Sequence, residues 1–263
     1  MLLSILSFLL VGVFAGGVAG LLGLGGGTVV VPALILIFSH AGVPHEVIFH
    51  FAVGTSFAIM IVTTSVSAWT RAKQGDVLWP VVRRLLPGIL VGVVLGAVLA
   101  NHLSTSVLKL CFAIFLLLVA SRMFFNIQPR FVRELPGKSI LFVISGCIGL
   151  VSGLLGIGVG SMTVPYLTRH NIKMRLASGI ASACTVPLAV AGTASFLITG
   201  WHFSGVNHSI GYVDWLAFLL VSPTSVVTAS FAVKFSARLK TGLLKRVFAV
   251  FLLIVAVGLI FGH

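Results

Sequence analysis

Long stretches of this chain contain no Asp, Glu, Lys or Arg, and this feature constrains the fold more than any other. Residues 1–39, 85–108 and 177–201 are free of all four residue types. Each stretch is long enough to cross the hydrocarbon of a bilayer as a helix, which takes about 20 residues. With 59% hydrophobic and 8% charged residues, the chain lacks the polar surface of a soluble domain. Because strand-like alternation is absent, the sequence predicts an all-α polytopic membrane protein.

The basic residues indicate which loops lie on the cytoplasmic side. Sixteen of the seventeen Lys and Arg fall in four short segments, at 71–84, 122–138, 169–175 and 234–246. The loops at 39–50, 100–106 and 200–213 contain no Lys or Arg. Such clustering in short loops is typical of the cytoplasmic face. The net charge of +13 therefore predicts topology, and it does not require a nucleic-acid partner.

Threading the chain between these two sides predicts two repeats of opposite orientation. Each repeat is a returning hairpin followed by three transmembrane helices, and both chain ends lie on the extracytoplasmic side. The first repeat (1–127) comprises a hairpin at 3–38 and spans at 51–70, 85–100 and 107–125. A cytoplasmic linker at 128–138 leads to the second repeat (139–263), with a hairpin at 139–168 and spans at 177–199, 212–233 and 247–262.

A glycine-rich phrase occurs once in each predicted hairpin. Residues 20–34 read GLLGLGGGTVVVPAL and residues 153–167 read GLLGIGVGSMTVPYL, with nine of fifteen positions identical. Later in each half, LKLCFAIFLLLVA (108–120) aligns with LKRVFAVFLLIVA (244–256). The two halves therefore share their element order, and the glycine phrase is the most strongly repeated part.

The glycine phrase predicts a break in a membrane helix. The interrupting glycines are Gly23, Gly25, Gly26 and Gly27 in the first half and Gly156, Gly158 and Gly160 in the second. Thr28 and Ser161 would then open a short second helix ahead of Pro32 and Pro165, so that two half-helices meet at the glycines. The start of a helix presents free backbone N–H groups and a positive dipole end, which favour an anion. Close helix packing by small residues is the alternative role of these glycines.

Uncharged hydroxyls supply the other candidate contacts to a substrate. Thr55 and Ser56 follow Gly54 in the first half, and Ser182 and Thr185 occupy the counterpart tract. A Ser or Thr in a membrane helix more often bonds back to its own helix, so both roles stay open. The complete predicted substrate-binding set is Gly25, Gly26, Gly27, Thr28, Thr55, Ser56, Gly158, Gly160, Ser161, Ser182 and Thr185.

The positions of the acidic residues limit the possible transport mechanisms. The four carboxylates are Glu46, Asp76, Glu134 and Asp214, and all lie in loops or at the ends of spans. Proton pumps and many proton-coupled carriers use buried Asp or Glu relays, so that mechanism has little support here. An anionic substrate needs no buried acid. The sequence also contains no catalytic motif such as HExxH or GxSxG in the spans, so no enzymatic activity, cofactor or metal is predicted.

The doubled glycine-proline phrase, the Gly-Thr-Ser triplet and the LKxxFAxFLL tract together resemble the TauE/SafE family of membrane permeases. The resemblance covers essentially the whole chain. It implies transport of sulfur-containing anions or small organic acids, with sulfite export as the name-giving activity. The family's pattern falls on Gly20–Pro32, Gly153–Pro165 and Gly54–Ser56.

The second half departs from this pattern at three positions. Val159 replaces a glycine, and Ile180 and Ala181 stand where the first half has Thr55 and Ser56. The two half-sites are therefore expected to be unequal in their contacts.

These observations lead to a hypothesis of function. The chain is expected to be a secondary transporter for a small inorganic or organosulfur anion, with sulfite as the first candidate. It would work by alternating access in the inner (plasma) membrane, in contact with lipid, and a homo-oligomer is compatible with the sequence. A membrane scaffold or assembly subunit, whose glycines serve only packing, and a passive anion channel are the alternatives.

Overall fold

The computed structural model describes residues 2–22, 26–125, 135–201, 203, 208–236 and 241–261. Side chains are described within these ranges except at 2–5, 18–22, 233–236, 241–247 and 260–261. Of the predicted features, Gly23, Gly25, residues 128–134 of the linker (with Glu134) and the C-terminal His263 lie outside the described residues.

The described residues form ten helices and one short β-hairpin. The first half contains α1 (Leu2–Leu22), α2 (Gly27–His40), α3 (Ile48–Lys73), α4 (Trp79–His102) and α5 (Thr105–Phe124). The second half contains α6 (Lys138–Leu155), α7 (Gly160–Arg169), α8 (Met174–Thr199), α9 (Trp215–Ser236) and α10 (Thr241–Phe261). The strands β1 (Ser209–Ile210) and β2 (Val213–Asp214) pair antiparallel just before α9.

Six of these helices are long and apolar enough to cross a membrane. They are α3, α4, α5, α6, α8 and the Trp215–Ala232 part of α9, judged on the described residues. The prediction of an all-α polytopic membrane protein is thereby confirmed. Helices α3 and α4 contain the residues of the predicted spans 51–70 and 85–100, and α5 ends one residue before the predicted 125. Helix α9 begins three residues later than the predicted 212, because Tyr212 lies in the turn of the β-hairpin and β2 occupies 213–214.

The two glycine-broken segments differ from the expected pair of half-helices. Helix α1 has 21 residues and α6 has 18, whereas α2 has 14 and α7 only 10. At 1.5 Å per residue, α6 is about 27 Å long and α7 about 15 Å. The first arm therefore has nearly the length of a full span, and only the second arm is short.

Helices α4 and α6 pack side by side through glycines. A Cβ added to Gly92 of α4 would lie 2.1 Å from the carbonyl oxygen of Gly146, and one added to Gly96 would lie 2.3 Å from that of Leu150. In the other direction, a Cβ on Gly153 would lie 2.5 Å from the carbonyl oxygen of Val93. The residue numbers rise together, so the two helices run parallel. Only glycine allows backbones to approach this closely.

Helices α1 and α9, the repeat counterparts of α6 and α4, show the same arrangement. A Cβ on Gly12 would lie 2.8 Å from the carbonyl oxygen of Val221, and one on Gly16 would lie 2.3 Å from that of Ser225. The hydroxyl of Ser225 also donates a 3.0 Å hydrogen bond to the carbonyl of Gly12. The long arm of each broken segment therefore packs against a helix of the opposite half.

Helices α3 and α8 cross at the centre of the molecule and run antiparallel. A Cβ on Gly54 of α3 would lie 3.2 Å from Cβ of Phe196, whereas a Cβ on Gly192 would lie 2.9 Å from the ring of Phe57. Position 54 thus meets 196 while position 57 meets 192. Of the six candidate spans, α3 is the most buried. This helix forms the inner wall against which the candidate site is built.

Candidate functional site

The glycine phrase interrupts a helix in both halves, as the sequence predicts. Helix α1 ends at Leu22 and α2 begins at Gly27, while α6 ends at Leu155 and α7 begins at Gly160. Gly156 closes α6 in a left-handed conformation, with φ +68° and ψ +31°, and its N–H donates to the carbonyl of Ser152. A residue with a Cβ rarely adopts this conformation, so the break depends on glycine.

The two breaks touch each other inside the protein. A Cβ added to Gly27 would lie 2.6 Å from the carbonyl oxygen of Gly156 and 2.9 Å from Cα of Ile157. A Cβ on Gly156 would lie 2.9 Å from Cα of Val53 in α3. Gly27, Gly156 and Ile157 are all buried. The contact is therefore backbone against backbone, and α3 covers it from one side.

Two neighbouring hydroxyls of α3 form hydrogen bonds with the second half of the chain, one at the glycine contact and one at β2. Ser56 donates a hydrogen bond of 3.0 Å to the carbonyl oxygen of Gly156. Thr55 accepts a hydrogen bond of 3.0 Å from the backbone N–H of Asp214 in β2. Both hydroxyls therefore connect α3 to the second half of the chain, and neither is directed only at its own helix.

The first turns of α2 and α7 are both buried. Gly26, which precedes α2, is buried, as are Gly158 and Gly160 on the other side. Thr28 is 1% exposed, and its Oγ1 has no hydrogen-bond partner among the described residues. Ser161 is also buried, and its hydroxyl reaches the carbonyl of Gly158 only at 3.5 Å. A buried hydroxyl without a partner costs free energy, which a bound hydrogen-bonding ligand would recover.

Proline shapes both of these first turns in the same way. Pro32 lies inside α2 and Pro165 inside α7. Because proline has no N–H, the carbonyls of Thr28 and Ser161, four residues earlier, lack the usual helical hydrogen bond. Each first turn therefore begins with backbone N–H groups that have no helical partner. The carbonyl of its second residue, Thr28 or Ser161, is a weakly paired acceptor.

Two predicted site residues bond within their own helix instead. Ser182 donates to the carbonyl of Ser178 at 2.9 Å, and Thr185 donates to that of Ala181 at 2.8 Å. This is the common behaviour of hydroxyls in membrane helices. Among the described residues, neither hydroxyl hydrogen-bonds to a glycine break, whereas the hydroxyl of Ser56 does.

Sequence reasoning missed two buried acids at opposite ends of α3. Asp76, in the turn after α3, is buried and forms an ion pair of 2.6 Å with Nε of Arg175. Asp214 caps α9, since its Oδ1 accepts a 2.8 Å hydrogen bond from the N–H of Ala217. Burial raises the pKa of the Asp214 carboxyl, although the hydrogen bonds from the start of α9 oppose this shift.

A sequence signal for these positions existed. Gly75 and Gly211 occupy matching places in the two halves, both have positive φ, and a buried acid follows each of them within three residues. Among the described residues, no group of three His, Cys, Asp or Glu side chains is placed to hold a metal ion.

Comparison with known proteins identifies the family. The model of the sulfite exporter TauE/SafE family matches residues 8–259. A probable membrane transporter protein from Haemophilus influenzae is 34% identical over 97% of this chain and 97% of its own length. One from Methanocaldococcus jannaschii is 28% identical over 88% of this chain and 86% of its own length. One from Bacillus subtilis is 23% identical over 98% of each chain. The chain therefore belongs to the sulfite exporter TauE/SafE family, and it is a multi-pass membrane transporter rather than an enzyme.

Proposed function

We propose that this transporter carries a small anion, with sulfite or a related sulfur oxyanion as the first candidate, held between the first turns of α2 and α7. The observation that carries the proposal is the contact of Gly27 with Gly156 and Ile157 in the buried interior. It brings the start of α2 against the end of α6, four residues before α7 begins.

The electrostatics of this place favour a negative charge. The first N–H groups of α2 and α7 have no partner within their helices, and each helix start is the positive end of a helix dipole. Thr28 and Ser161 add hydroxyl donors at the same turns. The described carboxylates, Glu46, Asp76 and Asp214, lie outside the helices, in turns or at a helix start. An anion between the two turns would therefore meet donors and no fixed negative charge.

The predicted site residues take unequal parts in this proposal. Backbone N–H groups from Gly25 to Thr28 and from Gly158 to Ser161 would hold the anion. Thr55 and Ser56 border the contact, but each already has a protein partner. Ser182 and Thr185, which bond within α8, become secondary candidates.

Alternating access between inverted repeats is the proposed mechanism. Its support is the antiparallel crossing of α3 and α8, which occupy matching places in the two halves. When two repeats are related by an axis within the membrane plane, their equivalent helices run in opposite directions. The equivalent packing of α4 on α6 and of α9 on α1 agrees with the same axis. Because the chain belongs to a transporter family, the scaffold alternative is dropped. A passive anion channel is the remaining alternative, and the flux experiment below distinguishes it.

Flux into liposomes tests this proposal directly. Purified protein would be reconstituted, and uptake of sulfite would be compared with uptake of an uncharged solute of similar size, with protein-free liposomes as the control. We expect saturable sulfite uptake that sulfate or thiosulfate reduces by competition. Equal uptake of the uncharged solute would reject anion selectivity. Single-channel currents in a planar bilayer, in place of slow saturable flux, would show a channel.

A further inference from the structure

Two loops at opposite ends of the α3–α8 pair make matching contacts. The inner loop, residues 74–78, follows α3, and a Cβ on Gly179 of α8 would lie 2.1 Å from the carbonyl oxygen of its Asp76. The outer loop, residues 209–214, precedes α9, and a Cβ on Gly54 of α3 would lie 2.4 Å from the carbonyl oxygen of its Tyr212. Each loop therefore comes from one half and presses on the central helix of the other half.

The inner loop is held by charge. The carboxylate of Asp76 is buried, and it pairs at 2.6 Å with Nε of Arg175 in the first turn of α8. The Arg175 side chain is 67% exposed, so the pair lies at the surface of the protein. It lies between the basic segments 71–84 and 169–175, which the charge pattern predicts to be cytoplasmic.

The outer loop is held by aromatic packing and one hydroxyl. The ring of Tyr212 lies 5.2 Å from that of His50 and 5.6 Å from that of Phe51, both in α3. The backbone N–H of Asp214 donates to the hydroxyl of Thr55. In α8 the position that matches Thr55 is Ile180, which has no hydroxyl. The two ends are therefore closed by unlike chemistry, although the backbone contacts match.

The outer loop is also connected to the glycine contact. Thr55, which holds the outer loop, is followed directly by Ser56, which donates to the carbonyl of Gly156. A change in the position of Gly156 would move α3 at Ser56 and hence the hydroxyl that holds Asp214. The inner loop has no such link, because Ala181 replaces Ser56 in α8.

We propose that these two loops are the gates of the transport pathway, with the Asp76–Arg175 ion pair closing the inner gate and the Thr55–Asp214 hydrogen bond coupling the outer gate to the glycine contact. This inference rests on the proposed transport function. Both gates are closed in this structure, so opening either one requires its loop to leave the central helix of the other half.

Thiol labelling tests the inner gate without any substrate. The protein would carry Cys111→Ser, Cys147→Ser and Cys184→Ala, and Ser178→Cys would serve as reporter, because Ser178 is buried one turn after Arg175. A membrane-impermeant maleimide would be applied to vesicles that expose the Asp76 end. We expect Asp76→Asn and Arg175→Gln each to speed labelling about two- to fivefold, the range for a partly exposed ion pair. Exchanging the two charges, as Asp76→Arg with Arg175→Asp, would restore slow labelling.

Lys173→Gln is the matched control, since Lys173 lies beside the same helix start and makes no ion pair among the described residues. It should leave labelling unchanged. High salt should speed labelling of the parent protein and not of Asp76→Asn, because salt screens an exposed pair. Unchanged labelling in both single variants, or an equal effect of Lys173→Gln, would overturn the inner gate.

The outer gate is tested from the opposite side with Ala58→Cys, a buried position one turn beyond Gly54. Thr55→Val should speed its labelling about two- to tenfold, as expected for one lost hydrogen bond. Thr63→Val is the control, since Thr63 donates to the carbonyl of Ile59 in its own helix. Equal labelling in both variants would overturn the outer gate. Because no substrate is used, either failure would leave the anion-transport proposal to be judged by flux alone.

Discussion

The hydroxyl of Ser56 in α3 donates a 3.0 Å hydrogen bond to the carbonyl oxygen of Gly156, which closes α6 at the second glycine break. The same carbonyl lies against Gly27 at the start of α2. One peptide group of the second half is thus contacted by two helices of the first half. This point holds the start of α2 against the end of α6, four residues before α7, so a site between the two breaks depends on it.

Replacing Ser56 with alanine tests the importance of this bond for stability. The Ser56→Ala variant leaves the buried carbonyl of Gly156 without its side-chain donor, and we expect a loss of about 1–3 kcal/mol. Thermal unfolding in detergent would report this as a lower melting temperature. Ser67→Ala is the matched control on the same helix, because Ser67 donates to the carbonyl of Thr63 within α3. A melting temperature lowered equally by both variants would contradict the prediction.

Adding a methyl group at Gly27 tests whether the two breaks must touch. In Gly27→Ala the new Cβ would meet backbone atoms of Gly156 and Ile157 at 2.6 and 2.9 Å, and backbone cannot move aside as a flexible side chain can. We expect destabilisation of about 1–3 kcal/mol, measured by thermal unfolding. Gly17→Ala should be neutral or slightly stabilising, since nothing lies within 4 Å of its added Cβ. An unchanged melting temperature for Gly27→Ala would show that the contact is loose.

The sequence predicts the helix breaks, and the inverted repeats favour two breaks that face each other. The positions of Gly27 and Gly156 follow from the repeat, because glycine interrupts an apolar helix locally. Which atoms meet across 129 residues depends on how α3 packs between the halves, and a single sequence carries no signal for that detail. The hydroxyls show the same limit: Ser56 and Ser182 look alike in sequence, yet one bridges to Gly156 and the other bonds within α8.

The β-hairpin before α9 is a second feature that the sequence does not predict. Tyr212 and Val213 lead through Asp214 into the apolar residues from 215 onward, which favours a span beginning at 212. Gly211 with φ +55° instead turns the chain, and Tyr212 and Asp214 attach it to neighbouring helices. Hydrophobicity alone does not separate a buried loop from a helix start. The asymmetry of the two halves was predictable, because Ile180 and Ala181 lack the hydroxyls of Thr55 and Ser56.

The burial of Asp214 predicts a pH dependence of stability. Because the pKa of this carboxyl is raised in the folded protein, the folded state binds more protons than the unfolded state just above the ordinary Asp pKa. This group therefore contributes a stability that falls as pH rises from 3.8 through the folded pKa. Asparagine is an equally good helix cap, so Asp214→Asn keeps the bond to Ala217 and loses this dependence.

Melting temperatures of the parent protein and Asp214→Asn, measured from pH 4 to pH 8, would check this expectation. The difference in favour of Asp214→Asn should be smallest at low pH and should grow as the wild-type carboxyl ionises. A difference that is constant over the whole range would mean that Asp214 titrates as an ordinary exposed acid.

The hydroxyl of Thr28 gives the sharpest separation of a substrate contact from a structural role. It is buried without a hydrogen-bond partner among the described residues, so removing it costs the fold nothing. The isosteric Thr28→Val should therefore keep or slightly raise the melting temperature. If the hydroxyl donates to a bound anion, its loss should weaken binding by about 1.5–3 kcal/mol, or about ten- to hundredfold.

Binding would be measured from the sulfite concentration that half-saturates a thermal shift, together with flux in liposomes. Ser161→Ala tests the matching turn of α7 in the same way. Thr193→Val is the control, because the buried Thr193 donates to the carbonyl of Ala189 in its own helix and should leave affinity unchanged. A Thr28→Val protein that melts earlier and transports normally would assign Thr28 to the packing of α2, since a ligand contact requires the opposite pair of effects.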